Sequence, residues 1–311
     1  MRKAINPGNS RKSINFLDNI CYSHVTDLQG QPLDLLLSVM VKNGNSEMRL
    51  AIGKDDEPDT TRYPLIVWIP GGGWRGCDKN LMVSEMQFLC EAGFVVASIY
   101  YRSSAQGHFP DQLVDVKTAI RFLRAHAEEY SIDPDRVGVI GRSAGGHLAA
   151  FAAMNQPGFD GEEWADFSSE VQAAVDMFGP VDMEDLIDLD IPRVGQPGYR
   201  FATMKETHQG ALCGFADAMT MEEMRSLCYQ ASPIHFINEK TAPIQILHGD
   251  HDALVPVKTS EHFYEELVRA GKEEQTQLYI LEQAGHGTKE FFQDSVKERI
   301  AEFFHKYLAG E

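Results

Sequence analysis

Two rhythms of apolar and polar residues divide this chain. From about residue 63 onward, short apolar runs alternate with amphipathic segments, the pattern of βα units around a mostly parallel sheet. Leu65 to Ile69 (LIVWI) reads as a buried strand, stopped by Pro70 and three glycines. Phe94 to Ile99 reads as the next strand, and Val137 to Ile140 as a third that runs straight into Gly141. Between these two, Leu113, Val116, Ile120 and Leu123 step by three and four and Ala127 continues the stripe, which predicts a helix over Asp111 to Tyr130. Further strands are expected at Val171–Met177, Ile244–Leu247 and Gln277–Leu281. Helices are expected at Thr259–Ala270 and Glu290–Leu308, the second with Phe292, Val296, Ile300 and Phe303 on one face.

Two regions break the pattern. Residues 20–62 read as antiparallel strands leading into the sheet, with a polar excursion from Asn43 to Arg62. Residues 182–232 are irregular and rich in Gly, Pro and Met, with charged helical pieces such as Thr220–Leu227. That stretch falls between two strands of the sheet, so it is expected to form a lid or cap over the strand ends. The fold class is therefore α/β, a single domain over residues 1–311 with a lid insertion at 182–232.

Composition narrows the function classes. With 46 acidic against 28 basic residues, the chain carries a net charge of −18, a field that repels nucleic acid and polyanions and leaves neutral esters open. No apolar run approaches the roughly 18 residues that span a bilayer, so no membrane partner is expected. The basic N-terminus is followed by no apolar stretch, from which a cytoplasmic location is expected. The five cysteines (Cys21, Cys77, Cys90, Cys213, Cys228) are scattered and form no C-x-x-C pair, so neither a disulfide framework nor a metal site is expected. A homo-oligomer stays open.

The chemistry concentrates at turns after strands. Gly141-Arg142-Ser143-Ala144-Gly145 follows a strand and precedes a helix-compatible run, the setting that lifts a serine hydroxyl above a sheet at a helix N-terminus. His147, one helical turn on, is expected to be a packed or hydrogen-bonded helix residue. Pro70-Gly71-Gly72-Gly73-Trp74 ends the Leu65–Ile69 strand, and its glycines can turn backbone N–H groups toward a developing oxyanion. The expected donors are Gly72 or Gly73 together with Ala144. His248–Pro256 follows the Ile244 strand and supplies Asp250 and Asp252, while Gly285-His286-Gly287 sits between the last strand and helix. A glycine-flanked histidine there is poorly placed for packing and well placed as a base. Asp252 is preferred as its orienting acid, with Asp250 assigned to turn hydrogen bonds; Asp182, at the end of an earlier strand, is a third candidate.

These motifs, with Tyr100-Tyr101-Arg102, Phe109–Gln112, Asp133–Arg136 and Gly146-His147, resemble the α/β-hydrolase esterases. The branch they resemble is the acetyl-xylan/feruloyl-esterase type, related to the hormone-sensitive-lipase group. The resemblance implies Ser143 as nucleophile, Asp252 as acid, His286 as base, and an oxyanion hole from Ala144 with Gly72 and Gly73, or the Trp74 amide. It implies no cofactor. Where that family usually has a histidine before the glycines, this chain has Pro70. The function expected is hydrolysis of short-chain acyl (acetyl) or compact phenolic esters, carbohydrate esters among them, with Trp74 bordering the substrate. Met204, Met219, Met221 and Met224 of the insertion are expected either to give adaptable apolar contact to substrate or to pack the insertion onto the sheet. The alternatives are a prolyl-oligopeptidase-like peptidase, disfavoured because the N-terminal 60 residues cannot build a propeller, and a non-catalytic interaction module, disfavoured by the intact triad.

Overall fold

A computed structural model of the protein describes residues 3–5, 13–42, 61–76 and 78–309. The excursion expected from residue 43 therefore lies outside the described residues up to Thr61, as does Cys77. Eight strands form one sheet: β1 (Ile14–Thr26), β2 (Pro32–Lys42), β3 (Tyr63–Ile69), β4 (Val95–Ile99), β5 (Ile132–Arg142), β6 (Ala173–Met177), β7 (Ile244–Gly249) and β8 (Thr276–Leu281). Their order is β1-β2-β4-β3-β5-β6-β7-β8. The pairs β1–β2 and β2–β4 are antiparallel, and every other pair is parallel. This is the α/β-hydrolase fold.

The helices are α1 (Gln87–Glu91), α2 (Asp111–Ala125), α3 (Ala144–Ala153), α4 (Met183–Asp190), α5 (His208–Cys213), α6 (Met221–Gln230), α7 (Val257–Arg269) and α8 (Asp294–Phe304). Alternation along the central strands decides which side each helix covers. Leu65, Val67 and Ile69 of β3 face one core with α2, α3 and α7, while Ile66 and Trp68 face another with α1 and α8. Both faces are buried, which is why the strands read as continuous apolar runs.

Three boundaries differ from expectation. The helix after Asp111 stops at Ala125, because the chain must reverse into β5; residues 126–131 turn, and Ser131 takes a left-handed φ of 56°. Ala127 and Tyr130 still reach the core from that turn. The terminal helix is divided into a 3-10 turn (Lys289–Phe292), α8 and a π turn (His305–Ala309). The wider last turn brings Leu308 beside Phe304 against Gly138 of β5, where any side chain would collide with both. The charged piece near residue 220 runs on to Gln230, started by a capping box between Thr220 and Glu223.

Several motif residues hold the scaffold. Arg102 donates to Asp115 on the buried face of α2 at 2.7 Å and pairs with Asp111 at 3.3 Å. Cys90, Cys213 and Cys228 are buried, as small apolar residues would be. The cysteines are less scattered than expected, since Cys213 and Cys228 bring their sulfurs to 3.9 Å where α5 packs on α6. Among the described residues, no helix is long and apolar enough to cross a membrane.

Candidate active site

β5 ends at Arg142 and α3 begins at Ala144, which leaves Ser143 alone on the turn with φ 53° and ψ −122°. That backbone is strained for a residue with a side chain, and such strain persists only where its surroundings enforce it. They do so by close approach: a Cβ at Gly145 would stand 1.9 Å from the Ile69 carbonyl oxygen. A Cβ at Gly141 would stand 2.0 Å from the Gly145 carbonyl oxygen. The Ser143 N–H donates to the Met177 carbonyl at 2.9 Å, tying the turn to β6.

Three strand ends converge here. Ser143 Oγ lies 2.8 Å from His286 Nε2, and His286 Nδ1 lies 2.7 Å from Asp252 Oδ2. The Asp252 side chain has no solvent exposure. Its second oxygen accepts from the N–H groups of Leu254 (2.8 Å) and Val255 (2.9 Å). Burial alone would raise this carboxyl, but hydrogen bonds from His248 and His286 outweigh it and hold Asp252 well below the usual carboxylate range. An ionised acid, an imidazole with Nδ1–H toward it and Nε2 toward a hydroxyl can accept the serine proton and stabilise the resulting imidazolium.

The other two acid candidates are occupied elsewhere. Asp250 accepts from the Gln283 N–H at 2.7 Å, a loop bond of the type expected, and Asp182 caps α4 through the Glu184 N–H at 2.9 Å. His147 is fully buried: it accepts from Trp74 Nε1 at 3.2 Å through Nδ1 and donates from Nε2 to the Ala231 carbonyl at 2.7 Å. Burial lowers its pKa to about 4, so the ring is neutral and structural.

The glycine loop passes directly against the serine turn, since a Cβ on Gly71 would meet Ser143 Cβ at 3.2 Å. Gly73 takes φ 58°, the left-handed conformation that glycine adopts freely. Gly72 is committed to a turn, its carbonyl accepting from the Arg75 N–H at 3.1 Å, and Ala144 opens α3 with no partner for its N–H inside the helix. In the position before the glycines, the Pro70 carbonyl accepts from Tyr101 Oη at 2.8 Å. A tyrosine two residues beyond β4 thus anchors the loop that begins at Pro70.

A cavity of about 280 Å³ opens over Ser143, with Gly73, Trp74 and Pro180 on the sheet side. Leu186 and Leu189 of α4 and Leu254 and Val255 complete its apolar wall. The insertion sits on an apolar cluster of its own, which joins Met183, Ile187, Leu212 and Met224 to Trp74 and Ala144. Of the four methionines considered for substrate contact, Met224 is buried in that cluster, Met204 and Met219 pack against it, and Met221 is exposed. None of the four lines the cavity, and packing is the role of Met204, Met219 and Met224. Trp74 does line it, although its indole is only 2% exposed and is bonded to His147.

Three contributors were not singled out in the sequence. His248 is fully buried beneath the acid, its Nε2 2.9 Å from the Val255 carbonyl and 3.3 Å from Asp252 Oδ2, with Nδ1 accepting from Ser260 Oγ at 2.7 Å. Its spacing of four from Asp252 was the available signal. Tyr101 lies in the Tyr100-Tyr101-Arg102 motif, but nothing in that motif marks it as the anchor of the glycine loop. His208 of α5 reaches the glycine loop: a Cβ on Gly73 would stand 2.7 Å from its Nδ1. Two clusters among the described residues could offer a cation three ligand atoms, Cys21–His24–Asp34 and Asp182–Glu184–His235. Neither includes a residue of the Ser143 arrangement or its cavity.

The BD-FAE family model matches residues 53–267. The "Probable carboxylic ester hydrolase LipM" of Mycobacterium tuberculosis is 34% identical over 218 residues, which cover 69% of this chain and 47% of LipM. The chain thus spans about half the length of that relative. A solved "truncated form of carbohydrate esterase from gut microbiota" is 26% identical with a TM-score of 0.75, covering 97% of this chain and 99% of the other. The propionate-bound esterase Est2 of Thermogutta terrifontis, at 24% identity and TM-score 0.67 over 97% of each chain, shares the fold.

Proposed function

The chain belongs to the BD-FAE family, and from that membership we propose that it is a serine carboxylesterase acting on short-chain acyl esters, acetyl above all, or compact phenolic esters, carbohydrate esters among them. The observation that carries this reading is the pair of bonds linking Ser143 Oγ, His286 and Asp252 across three strand ends. Ser143 Oγ attacks the ester carbonyl carbon while His286 Nε2 takes its proton. The Ala144 N–H and one from Gly72 or Gly73 receive the oxyanion, each such donor contributing about 3 kcal/mol to the transition state. The imidazolium returns its proton to the departing alcohol, leaving an acyl-enzyme. Water, activated by the same histidine, then releases the acid and restores Ser143.

The short-ester preference is supported by the cavity's modest volume of about 280 Å³ and by an apolar wall that is short, Leu186, Leu189, Leu254 and Val255, before the lining turns polar at Asp190, Tyr199, Arg193 and Arg200. Residues 182–232 act in this reading as a lid over a single domain. The carbohydrate esterase from gut microbiota supports sugar esters as part of the range. A panel of p-nitrophenyl acetate through decanoate, methyl ferulate and acetylated xylo-oligosaccharides tests the reading. kcat/KM should peak between acetate and butyrate; a maximum at octanoate or longer would overturn the short-ester assignment.

A further inference from the structure

The end of the cavity formed by the insertion is charged, which the apolar wall near Ser143 does not explain. Arg193 and Arg200 both line it, on the loop between α4 and α5, together with Asp190, Tyr199 and His208. Asp190 is buried and turned inward, with one oxygen accepting from Tyr199 Oη and the other from Gln209 Nε2 at 2.9 Å. The carboxylate that lines the cavity beside the two arginines is thus held by neutral donors, and among the described residues neither Arg193 nor Arg200, which lies over the Phe201 ring, has an ion-pair partner. Other arginines without a carboxylate are engaged in other ways, Arg75 and Arg124 by donating to backbone carbonyls, whereas Arg102, Arg136, Arg225 and Arg269 are paired with carboxylates.

We propose that the natural ester carries a carboxylate, and that Arg193 and Arg200 bind it at the insertion end of the cavity. The inference rests on the esterase reading and names the substrate class for that site. The charge count suits a single anion, since two guanidinium groups stand against one carboxylate on the lining. A planar carboxylate matches the guanidinium fork, which Lys would not offer in the same way. The local field agrees: after burial, the neighbouring charges of Arg200 and Arg75 are what push His208 down. A net charge of −18 slows long-range approach of anions, but a contact made inside a cavity is screened less than the surface field.

Two pairs of isosteres test this, one for each side of the ester. The pairs are 4-acetoxybenzoate with 4-acetoxybenzamide, and 4-nitrophenyl 4-carboxybenzoate with its 4-carbamoyl analogue. The wild type should favour the carboxylate member of at least one pair by about tenfold in kcat/KM, the weight of a charge-assisted contact. The double variant Arg193→Gln/Arg200→Gln should lose that preference, and 0.5 M salt should shrink it in the wild type. Should the double variant melt early, Arg193→Gln alone carries the same comparison. Equal or faster turnover of both amides by the wild type, or a preference that persists in the variants, would overturn the inference while leaving the esterase reading intact. Hydrolysis of neither these pairs nor p-nitrophenyl acetate would overturn both.

Discussion

Ser143, Asp252 and His286 stand on turns after β5, β7 and β8, whereas Arg193, Arg200 and His208 stand on the insertion between β6 and β7. On the sheet side the proposed acid and base are each held from two directions, His286 by Asp252 and Ser143. Asp252 accepts from two backbone amides and two histidines, and the serine turn is clamped by glycines that admit no side chain. On the insertion side Arg193 and Arg200 are exposed, and the segment is attached through Trp74 and Ala144 by an apolar cluster rich in methionine and cysteine. Rigid elements hold reacting atoms to the tolerance that proton transfer demands, while a separately packed insertion can change its lining without disturbing them. The proposed reaction thus falls on one side of the cavity and the proposed choice of substrate on the other.

Substitutions can break that division, beginning with the largest effect. Ser143→Ala should lower ester turnover by about a million-fold, to the residual rate that binding and backbone donors sustain, while circular dichroism shows an unchanged fold. Asp252→Asn should cost about ten-thousand-fold in kcat, because the imidazole loses the partner that sets its tautomer. Asp250→Asn and Asp182→Asn should each stay within about threefold, as expected for loop and capping groups outside the relay. If Asp182→Asn proved the crippling change, the acid would belong to β6.

His248→Gln sharpens the comparison at a smaller scale. The side chain touches Asp252 and not the serine, so it acts by positioning, and its loss should lower kcat about tenfold with KM little changed. The acid limb of the pH–rate profile should shift as well, since Asp252 loses one of the bonds that keep it ionised. A purely structural role would lower the melting temperature without moving that limb.

The smallest effect concerns pH and stability. His147 has a folded pKa of about 4, below the ordinary histidine value, so the unfolded chain binds more protons between pH 6.5 and 4. Its burial thus costs stability progressively as pH falls through that window. Asp176, buried on β6 and pushed up to about 7, works in the opposite direction: its folded form holds a proton that the unfolded chain has lost, so stability declines as pH rises from 3.8 to 7. Melting curves should therefore show a shallower acid-side loss for His147→Gln than for the wild type, and a smaller loss toward neutral pH for Asp176→Asn. Parallel curves would contradict both assignments.

Much of the sheet side was legible in the sequence, because strand ends followed by glycine, serine and histidine leave a local pattern. The turn at Ser143, the loop at Gly71–Gly73 and the glycines flanking His286 all depend on short-range spacing. Partners that arrive from far along the chain left no such mark. Tyr101 reaches Pro70 across 31 positions, and His208 meets Gly73 across 135, contacts set by how strands and insertion pack. The methionines of the insertion were ambiguous for the same reason, since the same side chains suit a substrate wall and a packed interior. The helix after Asp111 ends sooner than its apolar spacing predicts because Ala127 and Tyr130 are core residues on a turn, and apolar spacing does not distinguish a helix from the turn that ends it.

The most direct measurement is the site at which a fluorophosphonate attaches. Exposed to the probe and digested, the protein should yield one stoichiometric adduct by peptide mass spectrometry, on Ser143. His286→Ala should slow that labelling by orders of magnitude, since the hydroxyl loses its base. An adduct on any other serine, or undiminished labelling of Ser143→Ala, would contradict the account at its centre.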